Sequence, residues 1–143
     1  FMSIKFGLPL MKTQDSGSII IVSSINGNRT FSNTGATAYS TSKAGQVAME
    51  RMLALELARF KIRVNAVCPG AIETNIEKAT EKRNLEGVRL RSEFPDGTVP
   101  LSKGQPGRSE QVASVVSFLA GSASSHVTGT EIFVDGAESL FAL

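Results

Sequence analysis

Two residues that could exchange a proton together, Tyr39 and Lys43, lie four positions apart in the stretch AYSTSKAGQ. On a helix this spacing places both side chains on one face, where they can meet a common ligand. A free phenol loses its proton near pH ~10, and a neighbouring ammonium group favours the phenolate and brings proton exchange closer to neutral pH. The pair alone is weak evidence, because the same spacing is common on helix surfaces that do no chemistry.

A serine supplies a third group with suitable chemistry. Ser24 follows the apolar run SIIIV, whose β-branched residues predict a strand buried on both faces, as in a parallel sheet. Doubly wound sheets bind ligands at the carboxyl ends of such strands. We therefore expect Ser24 to lie near the start of the helix that carries Tyr39 and Lys43, which would bring together a hydroxyl donor, a phenol and a cation.

The elements that must position these residues alternate between strands and helices. A long run without proline follows Tyr39 and is apolar on more than one side, which predicts a helix with two neighbours, a sheet and another helix. A second helix is amphipathic, with Ser109 as its N-cap and Gly121 as its stop. This alternation favours right-handed crossovers in a parallel sheet. The predicted helices cover 1–12, 39–60 and 109–121, and the predicted strands cover 18–23, 62–67 and 131–136.

Composition excludes several classes of function. The chain has 143 residues with a net charge of +2 and no basic block, which argues against nucleic acid and an anionic membrane surface. Its longest apolar run is far shorter than the ~20 residues of a membrane helix. The single cysteine, Cys68, excludes an internal disulfide and a zinc cluster and favours the reducing cytoplasm. With one histidine and no G-x-S-x-G motif, a Ser-His-Asp hydrolase is disfavoured.

Four segments carry a resemblance when they are taken in order: IIIVSSINGN, AYSTSKAG, IRVNAVCPGAIET and HVTGTEIFVDGAE. Together they resemble the C-terminal half of a short-chain dehydrogenase/reductase. The resemblance implies an α/β fold in which residues 1–143 are the C-terminal part of one doubly wound, Rossmann-like parallel sheet, with three strands and flanking helices. It further implies an NAD(P)-dependent enzyme that interconverts an alcohol and a carbonyl compound, and that assembles as a homo-oligomer, a dimer or tetramer.

The same resemblance implies a role for each candidate residue. Ser24 polarises the substrate oxygen, Tyr39 donates or accepts the proton, and Lys43 holds the nicotinamide ribose and favours the phenolate. Ser23 competes with Ser24, which is preferred because Gly27 then falls where the family has a glycine. Tyr39 and Lys43 also belong to the coenzyme site, and the segment after the second strand is expected to contact the nicotinamide carboxamide and the phosphates through Pro69, Gly70, Ile72 and Thr74.

The chain departs from the family in what it lacks. No G-x-G-x-x-G fingerprint follows a strand, so the residues that bind the adenine half and choose NAD or NADP would precede Phe1. We therefore expect the chain to act with the N-terminal half of the same enzyme. The loop between Ser24 and Tyr39 is about two residues longer than is common in the family, and residues 73–106 are expected to form a substrate-binding lid with a short helix near 74–86. The alternative is a non-catalytic relative that keeps the fold for binding or oligomerisation.

Overall fold

A three-stranded parallel sheet forms the centre of the computed structural model, which describes residues 1–31, 35–75 and 99–141. The order in the sheet is β1-β2-β3, and each pair of neighbours runs parallel, as the alternating pattern predicts. The strands are β1 (Gly17–Val22), β2 (Ile62–Pro69) and β3 (Glu131–Val134).

Four helices are described around this sheet. The long helix begins two residues before Tyr39 and continues into a 3-10 turn that ends at Phe60, so the prediction for this element is confirmed within two residues. The third helix begins with Arg108, not Ser109, as its N-cap, and the Gln111 side chain accepts a hydrogen bond from the Arg108 N–H at 2.7 Å. The helices are α1 (Met2–Thr13), α2 (Thr37–Leu57), α3 (Ser109–Ala120) and α4 (Glu138–Phe141).

β2 is the most deeply buried strand, because it has a neighbouring strand on each side. Its residues Val64, Ala66, Val67 and Cys68 have no exposed surface. The expectation that the SIIIV run is buried on both faces is wrong for this chain: its residues are mostly half-buried, and the side chain of Val22 is exposed. β1 lies at the edge of the described sheet and has β2 as its one described partner.

α2 has the two neighbours that its pattern predicts. Its buried residues Val47, Ala54 and Leu57 lie in the core with the sheet. Partly buried side chains of both α1 and α2 pack against the same core cluster. They are Ile4, Leu8 and Met11 of α1, and Met49 and Leu53 of α2. Met52 and Leu55 lie on the outer side of α2 and are exposed in the described chain.

The segment expected to form the lid is described in part. Residues 76–98, which include most of the predicted short helix, lie outside the described residues, as do 32–34 in the longer loop. Within 99–106 the chain forms a 3-10 turn at Pro100–Ser102. Among the described helices, none combines the length and apolar character that crossing a membrane requires.

Candidate active site

The carboxyl ends of the strands meet at one edge of the sheet. Val22 is opposite Val67 in the parallel register, and the Ser23 N–H extends the ladder by donating to the Val67 carbonyl at 2.8 Å. Ser24 therefore comes level with the end of β2, where Gly70 donates its N–H to the Val134 carbonyl at 3.1 Å. The serine and the Pro-Gly segment thus occupy adjacent positions at this edge.

The first turns of α2 bring Tyr39 and Lys43 to the same edge. The Lys43 Nζ donates to the Val22 carbonyl at 3.0 Å, at the last residue of β1. It also lies 5.6 Å from the centre of the Tyr39 ring, which is 41% exposed. The spacing of four residues therefore produces the shared face that the sequence predicts, and the phenol faces solvent beside an ammonium group.

Ser24 is buried in the turn that follows β1. It is the N-cap of the 3-10 turn Ile25–Gly27, and its Oγ accepts a hydrogen bond from the Asn26 N–H at 3.2 Å. Because Oγ acts as the acceptor in this bond, the hydroxyl proton remains available for donation. Within residues 1–31 and 35–75, no hydrogen bond joins the side chains of Ser24 and Tyr39.

Ser23 contacts the long helix directly. Its Oγ donates to the backbone carbonyl of Lys43 at 2.9 Å, and the residue is 3% exposed. Gly27 lies against the same place, since a Cβ at this position would be 3.0 Å from both the Lys43 carbonyl oxygen and the Ser23 Oγ. The two consecutive serines therefore have different surroundings, because Ser23 bonds to α2 while Ser24 caps the turn.

The segment after β2 is held by backbone hydrogen bonds to a second strand-like stretch. Ile72 pairs in parallel with Gly107, whose N–H donates to the Ala71 carbonyl and whose carbonyl accepts from the Glu73 N–H, each at 2.8 Å. In a parallel bridge the flanking residues make these bonds, so the N–H and carbonyl of Ile72 face the other side of the segment. Thr74 follows on the exposed part of the segment.

One acidic residue that the sequence did not single out, Glu138, supports the Pro-Gly turn. Glu138 of α4 is buried, and its Oε2 accepts the Ala71 N–H at 2.6 Å. A Cβ on Gly70 would lie 2.6 Å from the same Oε2 and 2.7 Å from the Cβ of Asp135. No local pattern marks Glu138, because a charged residue in a short helix is ordinarily solvated.

An open cavity of 430 Å³ lies beside this segment. Its lining includes Ile72, Gly107 and Val134 but none of the Ser24, Tyr39 and Lys43 side chains.

A buried acidic residue lies further along α2 and interacts with Glu131 of β3. Glu50 has no exposed surface, and among the residues that the structure describes neither of its carboxylate oxygens has a hydrogen-bond partner. Burial raises the pKa of its carboxyl to about 7, repulsion from Glu131 adds to the rise, and Arg51 opposes it. Glu131 itself bonds to the Asn28 side chain and forms an ion pair with Arg51.

Cys68 lies in β2 near these carboxylates. Burial raises the pKa of its thiol to about 11, and repulsion from Glu131 contributes to the rise. A thiol of this kind is protonated at neutral pH and behaves as a small apolar side chain.

Comparison with known proteins places these features in a family. A family model described as "Enoyl-(Acyl carrier protein) reductase" matches residues 1–137. The 3-oxoacyl-(acyl-carrier-protein) reductase FabG of Thermotoga maritima is 45% identical over 129 residues, which is 90% of this chain and 48% of that protein. The acetoacetyl-CoA reductase of Synechocystis is 39% identical over 136 residues, 94% of this chain and 52% of that protein.

Solved structures agree with these matches. The crystal structure of a 3-ketoacyl-ACP reductase from Sinorhizobium meliloti superposes with a TM-score of 0.89 at 48% identity, over 98% of this chain and 55% of that one. The acetoin dehydrogenase of Enterobacter cloacae superposes with a TM-score of 0.74 at 29% identity, over 97% of this chain and 50% of that one. The chain spans about half the length of the curated relatives it matches. With its three parallel strands and flanking helices, it has the fold of about half of a Rossmann-fold reductase, and it belongs to the short-chain dehydrogenase/reductase family.

Proposed function

We propose that this chain supplies the catalytic half of an NAD(P)-dependent oxidoreductase that interconverts an alcohol and a carbonyl compound. One observation carries the proposal: the Lys43 ammonium lies 3.0 Å from the Val22 carbonyl and 5.6 Å from the Tyr39 ring centre, at the strand end that Ser24 follows. A phenol, an ammonium group and a serine hydroxyl are thus gathered at one edge of the sheet. Membership of the short-chain dehydrogenase/reductase family also supports the proposed oxidoreductase function.

In the proposed reaction each of the three residues acts on the substrate oxygen or on its neighbour. The Ser24 hydroxyl donates a hydrogen bond to the carbonyl oxygen and polarises it. Tyr39 gives its phenolic proton to that oxygen as the carbonyl becomes an alcohol, and in the reverse direction the phenolate takes the proton back. Lys43 stabilises the phenolate by its charge.

The donor set of Lys43 fits the ribose of a nicotinamide coenzyme, NAD or NADP. An ammonium group has three N–H donors, and one of them is directed at the Val22 carbonyl, so two remain for ribose hydroxyls. When bound, the coenzyme supplies the hydride that reduces the carbonyl carbon. We assign Pro69, Gly70, Ile72 and Thr74 to the carboxamide and phosphate side of the site, where the backbone groups of Ile72 face away from its bridge with Gly107.

We propose a 3-oxoacyl thioester as the first substrate class to test. Two relatives are named as reductases of such compounds, carried on an acyl carrier protein or on coenzyme A. The ketone of a 3-oxoacyl thioester is a carbonyl group of the kind that the proposed reaction reduces.

The proposed partners are the N-terminal half of the same enzyme and further copies of it, as a dimer or tetramer in the cytoplasm, without nucleic acid or membrane. β1 has a free edge among the described strands, and a preceding half could extend the sheet there. The exposed apolar side chains on α1 and α2 suit a subunit interface. They are Met2, Phe6, Leu10, Met52 and Leu55.

We propose that residues 73–106 form the substrate-binding lid.

The test uses the full-length product of the gene that encodes this chain. Loss of NADH or NADPH absorbance is followed with acetoacetyl-CoA as substrate, for the wild type and for Tyr39→Phe and Lys43→Met. We expect both substitutions to lower kcat/KM at least about a hundredfold, since each removes a group from the proton-transfer machinery.

A matched lysine variant controls for charge. Lys12 lies against the ring of Phe60, which precedes the start of β2 and so belongs to the opposite edge of the sheet. Lys12→Met should leave turnover unchanged. Turnover that Tyr39→Phe does not reduce would refute the catalytic role of Tyr39, and absence of turnover across a panel of carbonyl substrates would favour the non-catalytic alternative.

A further inference from the structure

Lys43 is attached to the end of β1 at both its backbone and its side chain. Its Nζ donates to the Val22 carbonyl at 3.0 Å, and its own carbonyl accepts the Ser23 hydroxyl at 2.9 Å. Two consecutive residues of one strand end therefore hold one residue of the helix. Tyr39 lies one helical turn before this attachment, so its position over the sheet edge depends on the same contacts.

Ser23 is well placed to fix this contact. It is 3% exposed, and its N–H donates to the Val67 carbonyl at 2.8 Å, which ties its backbone to the central strand. The hydroxyl therefore projects from a backbone that β2 already holds in place. Because the Ser23 backbone is fixed, its hydrogen bond to the Lys43 carbonyl fixes the distance between the sheet and α2 at this point.

Gly27 allows the helix to approach this closely. A Cβ there would be 3.0 Å from the Lys43 carbonyl carbon, from its oxygen and from the Ser23 Oγ. The turn after β1 thus supports α2 at the same point where the Ser23 hydroxyl bonds to it. The hydrogen bond and the close backbone approach are separate contacts on one residue of the helix.

We propose that Ser23 is a positioning residue for the reaction. Its hydroxyl, by bonding to the Lys43 carbonyl, holds this turn of α2 at a fixed distance from the end of β1. That distance in turn determines how close the ammonium group and the phenol lie to each other and to the substrate. This inference rests on the proposed function of Tyr39 and Lys43. Ser23 itself contacts neither substrate nor coenzyme in this role. Its removal should change the rate and its pH dependence more than the affinity for substrate.

The chain offers a matched control for a lost serine hydrogen bond. Ser18, in β1, donates its hydroxyl to the Leu119 carbonyl of α3 at 2.8 Å. This bond joins the same strand to a helix that carries none of the proposed catalytic residues. Ser18→Ala and Ser23→Ala therefore remove the same kind of contact, one from β1 and one from the residue that follows it, and they differ in the helix that is released.

The experiment compares Ser23→Ala with Ser18→Ala in the full-length enzyme. We expect Ser23→Ala to lower kcat about five- to tenfold, to leave the KM for acetoacetyl-CoA within about twofold, and to move the falling limb of the pH profile of kcat, above which the proton donor is lost, to higher pH. Ser18→Ala should change none of these. Ser23→Cys keeps a group of similar size with a weaker donor, so it should give an intermediate effect and serves if the alanine variant does not fold.

Hydrogen–deuterium exchange provides a measurement that does not depend on turnover. Ser23→Ala should speed amide exchange in the peptide covering 37–47, and Ser18→Ala should not. If both variants have the same kinetics and the same exchange in this peptide, the positioning role of Ser23 is refuted. If the wild type shows no turnover but Ser23→Ala still speeds exchange in 37–47, the contact holds α2 as inferred and the proposed enzyme activity is what fails.

Discussion

Replacing Glu50 by glutamine tests the most unusual electrostatic feature of α2. The carboxyl is fully buried, and neither oxygen has a hydrogen-bond partner within the described part of the chain. Its pKa is raised from 4.5 to about 7 by burial, with Glu131 adding to the rise. Between these two values the folded protein keeps a proton that the unfolded chain has lost. The free energy of unfolding therefore falls as the pH rises from about 4.5, and this loss levels off above about 7.

The size of the effect follows from the two pKa values. Each pH unit of difference corresponds to about 1.4 kcal/mol, so this carboxyl destabilises the folded state by about 3 kcal/mol at pH 8 and by about 1 kcal/mol at pH 5. Glutamine has nearly the same shape and cannot ionise. Glu50→Gln should therefore gain about 2 kcal/mol more stability, relative to wild type, at pH 8 than at pH 5.

Urea unfolding at both pH values measures this difference. Glu56→Gln is the matched control, because Glu56 lies on the same helix and is exposed. The charged groups that act on Glu50 are Glu131 of β3 and Arg51 of α2, and both remain in each variant. A stability difference between Glu50→Gln and wild type that does not change with pH, or that Glu56→Gln reproduces, would refute the reasoning.

Two further predictions concern the end of β2. Cys68 should resist alkylation by iodoacetamide in the native protein at pH 8 and react quickly in urea, because burial raises its thiol pKa to about 11; peptide mass spectrometry measures this, and rapid labelling of the folded protein would contradict it. Gly70→Ala should destabilise the protein by about 1–3 kcal/mol, since the new Cβ would lie 2.6 Å from Glu138 Oε2. Gly121→Ala, whose Cβ would meet its nearest neighbour at 3.5 Å, should be close to neutral in the same urea titration.

The sheet and the main helices could be predicted because their patterns depend on local chemistry. The β-branched runs of β1 and β2 and the proline-free course of α2 determine the element type almost independently of distant contacts. The spacing of Tyr39 and Lys43 likewise predicted a shared face, and the ammonium group does lie beside the ring.

Contacts between distant segments could not be read in the same way. The sequence preferred Ser24 over Ser23 but gave no role to Ser23. In the structure the two have different surroundings, since Ser23 bonds to Lys43 across twenty residues and Ser24 caps a local turn. Glu138 supports Ala71 across an even longer separation, without a motif to mark it. Burial of β1 was overestimated because a strand sequence does not show whether a neighbour is present on each side.

The presence of Glu50 in the middle of α2 can be understood from the residues around it. Burying a carboxyl whose pKa is raised to about 7, and which is therefore mostly ionised at pH 8, costs about 3 kcal/mol at that pH, which is comparable to what one fully buried aliphatic side chain contributes. On the same face Val47, Ala54 and Leu57 are all buried, so their apolar contacts exceed this cost. The helix is therefore held against the sheet at every pH considered. Ionisation of Glu50 lowers the overall stability, while the contacts that position the first turns lie two turns away, at Lys43.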